Sequence, residues 1–504
     1  MAPAPTAPAL PAHPLIYEIN TWVWLGELSR EAGAAVHLGT VPAAAWDAVA
    51  ALGFDAVWLM GVWERSPAGL AVARENPDLT ASWESVLGDV GPGDVVGSPY
   101  CVRRYVVDDR LGGPQGLAQA RAQLARRGMA LLLDFVPNHV APDHPWVSGH
   151  PEYLVGGTTA DVEADPASFT RVGGTVAALG RDPYFPAWPD VVQLNAFAPG
   201  LRDAAAATLT TIAEQCDGVR CDMAMLMLND VFARTWGDRV GPPPATEYWA
   251  QIIPAVRTRH PAFRFLAEAY WDREWDLQQL GFDGCYDKRL YDRLVDGTAG
   301  PVRDHLGADL SYQQRLVRFL ENHDEPRAAA TFAPERHRAA AVATFTLPGT
   351  RLFHEGQLEG RRVHLPVFLA RRPDEPVDTE LQAFYLRLLD ALRDPTLRGG
   401  AWQATPVHGW PGDASCADLV AWCWDGDPRW LVVVNLGAGT ARGHLAVPWA
   451  DVAGRDWQLD DPTTGVSFVR AGDVLATELY VELEPWSWHL LRVTPSGSGH
   501  QEDA

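Results

Sequence analysis

A chain of 504 residues is longer than one compact core can organise, so about two to four domains are expected. Its 47% hydrophobic and 21% charged residues are ordinary for a globular protein. A net charge of −23 argues against nucleic acid or an anionic membrane as partner, and no run is long and apolar enough to span a bilayer.

The start, MAPAPTAPALPAHP, lacks the basic residues and long apolar run of a signal peptide. It reads as a disordered Pro/Ala arm over 1–13, and a cytoplasmic location is expected. The first strand is predicted at Leu15 to Ile19. Trp46, Val49 and Ala50 keep helical spacing up to the stop signal Gly53, and Ala56 to Met60 is a buried second strand. Leu117, Ala120 and Leu124 share a helix face that Gly128 ends. Met129 to Phe135 is a third strand, apolar enough to be buried on both faces as in parallel sheets. Residues 140–195 break this rhythm with Pro and Gly clusters and read as an inserted domain. The alternation resumes with the helix Leu201, Ala205, Leu209, Ile212. Strands follow at Gly218 to Asp222, Phe265 to Ala269, Gly284 to Tyr286, Val317 to Asn322 and Thr350 to His354. Repeated βα units of this number predict an α/β fold, a (β/α)8 barrel made of 14–139 and 196–396. After a last helix (Leu381, Phe384, Leu388, Leu392) and Gly399-Gly400, the period changes to two. Leu479, Val481 and Leu483 alternate with polar neighbours, as do Trp486, Trp488 and Leu490. A C-terminal all-β sandwich over 397–494 is expected, with a disordered tail at 495–504.

The cysteines Cys101, Cys216, Cys221, Cys285, Cys416 and Cys423 form no CxxC pair and no metal-like spacing. Cys216 and Cys221 flank a strand, which favours free core thiols over disulfides. Lys288 is the sole lysine, so Schiff-base chemistry is excluded elsewhere. The 21 Trp and 12 Tyr supply rings that can stack on sugar faces, although most such rings sit in cores and seams.

Active sites of such barrels lie at the C-terminal ends of the strands. Four apolar runs close on acidic residues there: LLLDFVPNH with Asp134 and His139, GVRCD with Arg220 and Asp222, FLAE with Glu268, and FLENHDEPR with His323 and Asp324. A single strand-end Asp often just caps the next helix. Four such ends in barrel order suit glycoside hydrolysis, which needs one ionised carboxylate to attack the anomeric carbon and one protonated carboxyl to release the leaving group. Arg220 projects to the same side as Asp222 and would keep it ionised.

In order, these stretches resemble the four short motifs of the α-amylase family of glycoside hydrolases and transglycosidases. DFVPNH at 134–139, GVRCD at 218–222, FLAEAYW at 265–271 and FLENHDEPR at 319–327 carry the resemblance. Gln193-Leu194-Asn195 is similar to the motif that ends the family's inserted domain. The resemblance covers residues 14 to about 493. It implies a retaining mechanism with Asp222 as nucleophile, Glu268 as acid/base and Asp324 binding sugar hydroxyls and favouring the distorted transition state. Arg220, His139 and His323 would line the −1 sugar site and Asp134 would brace it. Tyr100, in SPYCVRRYVVDDRLGG, would stack on that sugar; the competing reading is a plain core tyrosine. Trp271 lines a later subsite or serves packing. Glu359, with Arg361 or Arg362, is placed to add an acid and an arginine, or forms an exposed salt bridge.

The sequence also departs from the family pattern. Met225 and Leu226 stand where amylases often carry Lys-His, Cys101 replaces a usual Asp, and Arg104 another acidic residue. Asn138 matches a calcium-ligand position without an evident full ligand set, so no metal is expected to be required and no cofactor is implied. The substrate implied is a small-molecule α-glucoside, oligosaccharide or α-glucan, with hydrolysis and transglycosylation both open. A non-catalytic sugar-binding relative would usually have lost one of the three carboxylates. An unrelated barrel would need a phosphate loop or metal cluster that is not present. Oligomeric state stays open.

Overall fold

The computed structural model describes residues 9–496. The expected disordered ends at 1–13 and 495–504 lie largely outside that range. Within it, His13 is buried and accepts a hydrogen bond from Gly349 N–H, and the last strand runs to Pro495.

Eight short strands form where the apolar runs occur. They are β1 (Leu15–Asn20), β2 (Ala56–Met60), β3 (Ala130–Phe135), β4 (Gly218–Cys221), β5 (Arg264–Ala267), β6 (Gly284–Tyr286), β7 (Leu316–Arg318) and β8 (Thr350–His354). They close into a barrel in the order β1-β8-β7-β6-β5-β4-β3-β2. Neighbours run parallel, with Ile16 opposite Ala56 and Gly218 opposite Arg264. Helices intervene, among them Ala43–Ala51, Gly113–Arg126 and Pro199–Ala213. The expected stop signals Gly53 and Gly128 take left-handed φ of 86° and 77°, which costs glycine little. Gly218 is required for a different reason. A Cβ there would come within 2.8 Å of the Arg264 carbonyl oxygen, where β4 and β5 approach closely.

Three strands end before their predicted runs do. β4 ends at Cys221 and β5 at Ala267, so Asp222 and Glu268 stand just past the ordered pairs. β7 stops at Arg318. Phe319–Asn322 stay buried but leave the strand, because Glu321 and Asn322 bond to the following loop.

The segment after β3 forms its own four-stranded antiparallel sheet, in the order His139–Val140, Trp188–Gln193, Thr175–Gly180, Phe169–Val172. Val140, Leu154, Ala177, Val192 and Leu194 pack beside it. The C-terminal domain is mostly β, with short helical turns at Ser415–Asp418 and Gly472–Thr477. A six-stranded sheet runs Ala401–Ala404, Leu419–Asp425, Arg429–Asn435, Trp488–Pro495, Asp456–Asp460, Ser467–Ala471. With a two-stranded sheet, Ala441–Leu445 and Leu479–Leu483, it shares one core containing Leu431, Val433, Leu445, Val481 and Leu491. The alternation expected through Trp486 fails there. Trp486 has φ 55° and precedes its strand.

By compactness the chain divides into one unit of Ile16–Tyr286 with Val363–Asp374 and another of Asp287–Arg362 with Glu375 onward. Among the described residues no helix is long and apolar enough to cross a membrane.

Candidate active site

In the first unit, six of the ten expected site residues belong to one buried constellation around Arg220. Arg220 is the third residue of β4, and its side chain points into the barrel, 1% exposed. One terminal nitrogen, Nη1, donates to Asp222 Oδ1 at 2.8 Å, and the other, Nη2, lies 2.8 Å from Glu268 Oε2. Strand geometry explains the first contact, since residues two apart share a face. Register explains the second: Cys221 is opposite Ala267, and Glu268 N–H donates to Cys221 O at 3.0 Å. The guanidinium also sits 5.5, 5.2 and 5.7 Å from the ring centroids of Trp58, Tyr100 and Tyr286. Burial opposes its charge. The Glu268 carboxylate, the phenols of Tyr100 and Tyr286 and the Asp222 carboxylate outweigh that and hold it well above the usual arginine range.

Tyr100 is half-buried beside this cation. His139 is buried; burial lowers its pKa, against the nearby Asp222 charge, so the imidazole is neutral near pH 7. Asp134 Oδ2 accepts from Trp58 Nε1 at 3.1 Å and from Gly61 N–H at 3.4 Å. It therefore fixes the ring over which Arg220 lies.

Glu268 receives further donors. Its Oε2 accepts from Met223 N–H at 2.6 Å and its Oε1 from the Tyr270 hydroxyl at 3.0 Å. Met223 reaches it from a left-handed backbone, φ 41°, directly after Asp222. Met225 and Leu226 then turn into the core, 0% and 2% exposed, so these positions are packing residues.

In the second unit, Asn322 Oδ1 accepts from the backbone N–H of Asp324 and of Glu325, both at 2.9 Å, which fixes the turn carrying Asp324. Asp324 is 42% exposed along its side chain and pairs with His323 Nε2 at 2.9 Å. Beneath this turn Glu321 accepts from Arg327 Nη1 at 2.6 Å and Ala328 N–H at 2.7 Å, and Arg327 donates to Glu355 O at 2.8 Å. Lys288 pairs with Asp292 at 2.6 Å and Glu325 at 3.2 Å. Glu359 is half-buried, and its carbonyl accepts from Asp378 N–H at 2.9 Å. Arg362 is exposed. Its guanidinium donates to Ala329 O and its backbone N–H to Glu375 Oε2.

Tyr270 and Tyr286 were not selected from sequence. Tyr270 could have been, because it follows Glu268 by two and projects to the same side. Tyr286 ends β6, a strand too short to mark its last residue. The calcium position offers little to a cation: Gln193 Nε2 donates to Asn138 Oδ1 at 2.8 Å and to Asn138 O at 2.9 Å, so N–H donors face both oxygens. Among the described residues no His/Cys/Asp/Glu group has a metal-holding arrangement.

No family model matches the chain. Over 287 residues it is 28% identical to the α-amylase MalA of Haloarcula japonica, a stretch covering 55% of this chain and 38% of that protein. Over 230 residues it is 30% identical to the α-1,4-glucan:maltose-1-phosphate maltosyltransferase of Rhodospirillum rubrum, covering 44% of this chain and 27% of that protein. The chain is a relative of the α-amylase family. It spans less than half the length of either curated relative. The fold agrees with that of the maltogenic α-amylase AmyB from Thermotoga neapolitana: TM-score 0.67, 18% identity, 95% of this chain and 98% of that one. The acarbose-complexed α-amylase of Geobacillus thermoleovorans gives 0.65 at 18%, covering 97% and 99%. At such identities the likeness is one of fold. Of the stretches that resemble the α-amylase family motifs, three begin within β3, β4 and β5 and run past their ends, and the fourth follows β7.

Proposed function

We propose that the chain is a retaining enzyme acting on α-glucosidic bonds. The observation that carries this reading is the single Arg220 fork holding Asp222 and Glu268, each at 2.8 Å. Two carboxylates within reach of one guanidinium fit the close spacing, about 5–5.5 Å, of retaining pairs, not the wider gap that leaves room for a water in inverting ones.

Asp222 attacks the anomeric carbon while Glu268 passes its proton to the departing oxygen. This yields a glycosyl ester on Asp222 and a neutral leaving group. Glu268, now ionised, takes a proton from the incoming hydroxyl as that oxygen displaces Asp222. Neutral His139, Tyr100 and Arg220 supply hydrogen bonds and a ring face to the −1 sugar. Asp324 and His323 are read as sugar-hydroxyl contacts, and Glu359 with Arg362 as a further acid and arginine, on the family resemblance. A required calcium is not part of the proposal, because amide donors face Asn138. The setting is the cytoplasm, in keeping with six free cysteines.

The incoming hydroxyl belongs to water in the leading reading and to a second sugar in the alternative. The alternative draws support from the similarity to the α-1,4-glucan:maltose-1-phosphate maltosyltransferase named above. Proton NMR of the enzyme with maltose, maltotriose, trehalose, sucrose and p-nitrophenyl α-glucoside tests the proposal. α-Glucose or α-maltose appearing first is the expected result. Longer or rearranged glucosides would make it a transglycosidase, and β-anomers first would defeat the retaining assignment.

A further inference from the structure

The two oxygens of Glu268 are held differently. Oε2 lies 2.8 Å from the Arg220 guanidinium as an ion pair and accepts a hydrogen bond from the Met223 backbone N–H at 2.6 Å. Neither group can accept a proton in return. A proton on Oε2 would face those N–H groups, so the acid proton belongs on Oε1. Oε1 accepts a hydrogen bond from the Tyr270 hydroxyl at 3.0 Å. Tyr270 is half-buried, two residues past Glu268, and the intervening Ala269 is fully buried. Directly after it Trp271 and Asp272 both take left-handed backbones, φ 62° and 61°, a conformation that non-glycine residues rarely adopt. The Trp271 ring is held edge-on to Tyr184, with centroids 4.8 Å apart. The chain is bent sharply at the point that keeps the phenol over Glu268.

We propose that Tyr270 is a positioning residue for proton transfer at Glu268 Oε1. This rests on the reading of Glu268 as the acid/base. The hydroxyl donates to Oε1, the oxygen that carries the proton toward the departing oxygen. As that proton leaves, the carboxylate formed keeps the Tyr270 bond, which strengthens with the developing charge. Tyr270 thus makes Glu268 a stronger acid and aims its proton.

The test is Tyr270→Phe, which keeps the ring and removes one oxygen. The alkaline limb of the kcat/KM–pH profile should move up by about one pH unit, because the ionised form has lost a charge-assisted hydrogen bond. Turnover of maltose, whose leaving group needs the proton, should fall about tenfold by the same loss. Turnover of p-nitrophenyl α-glucoside, whose leaving group does not, should fall much less. A general packing defect would lower both alike. An activity-independent reading comes from carbon-13 NMR of protein labelled at the glutamate carboxyls. The Glu268 signal is identified by its loss in Glu268→Gln and titrated in wild type and in Tyr270→Phe. An upward shift of its midpoint in the variant is expected. An unmoved midpoint overturns the proposal whatever the kinetics show. If Glu268→Gln still processes maltose at the wild-type rate, the acid/base reading fails instead, and the titration separates the two failures.

Discussion

Replacing Arg220 with Met tests the centre of the site by a route that needs no substrate. Asp222 and Glu268 are 6% and 3% exposed, and each loses a guanidinium nitrogen at 2.8 Å. Removing one partner of a buried pair costs about 3–5 kcal/mol. The cost falls on carboxylates that must stay ionised without their cation, and it is relieved where they can take up a proton instead. Thermal unfolding followed by circular dichroism should therefore show a gap between Arg220→Met and wild type that is wider at neutral pH than in mild acid. Loss of the same energy from the transition state lowers kcat/KM at least about a hundredfold. A gap in midpoint that is equal at both pH values, or a variant keeping a tenth of wild-type turnover, would refute the account.

Asp222→Asn should abolish turnover with an unchanged circular dichroism spectrum; substantial residual activity would remove Asp222 from the nucleophile role. Glu321→Gln leaves Arg327, 2% exposed, without its charge partner and should destabilise by about 3 kcal/mol. An unchanged thermal midpoint would show that this pair does not hold the Asp324 turn. Dialysis against EDTA should leave activity intact, and a large loss restored by calcium would reverse the reading of Asn138 and Gln193.

The barrel was legible because its strands are buried on both faces and so read as unbroken apolar runs, while the glycines that end helices announce the turns. Asp222 and Glu268 were legible because a carboxylate cannot end such a run cheaply unless it has a partner. The length of β7 was not legible. Apolarity continues through Leu320, and what stops the strand is the Glu321 and Asn322 hydrogen bonds to residues further on. Trp486 misled the period-two reading for a similar reason, since only its backbone, at φ 55°, separates it from Trp488. Tyr286 reaches Arg220 from β6, a contact that no local spacing encodes, through a 3.4 Å bond from Nε to its hydroxyl.

The hydrogen-bond ladder does not stop where β3, β4 and β5 do. Asp222 N–H donates to Phe135 O, Glu268 N–H to Cys221 O, and Ala224 N–H to Glu268 O. The two carboxylates hang from consecutive rungs of one ladder, so their separation is a property of the sheet and not of a flexible loop. A single residue inserted before Asp222 would turn it to the outside of the barrel while Glu268 stayed within. Deletion of one residue would do the same. At these three strand ends it is a change of residue count, more than a change of loop content, that would move a carboxylate from one face to the other.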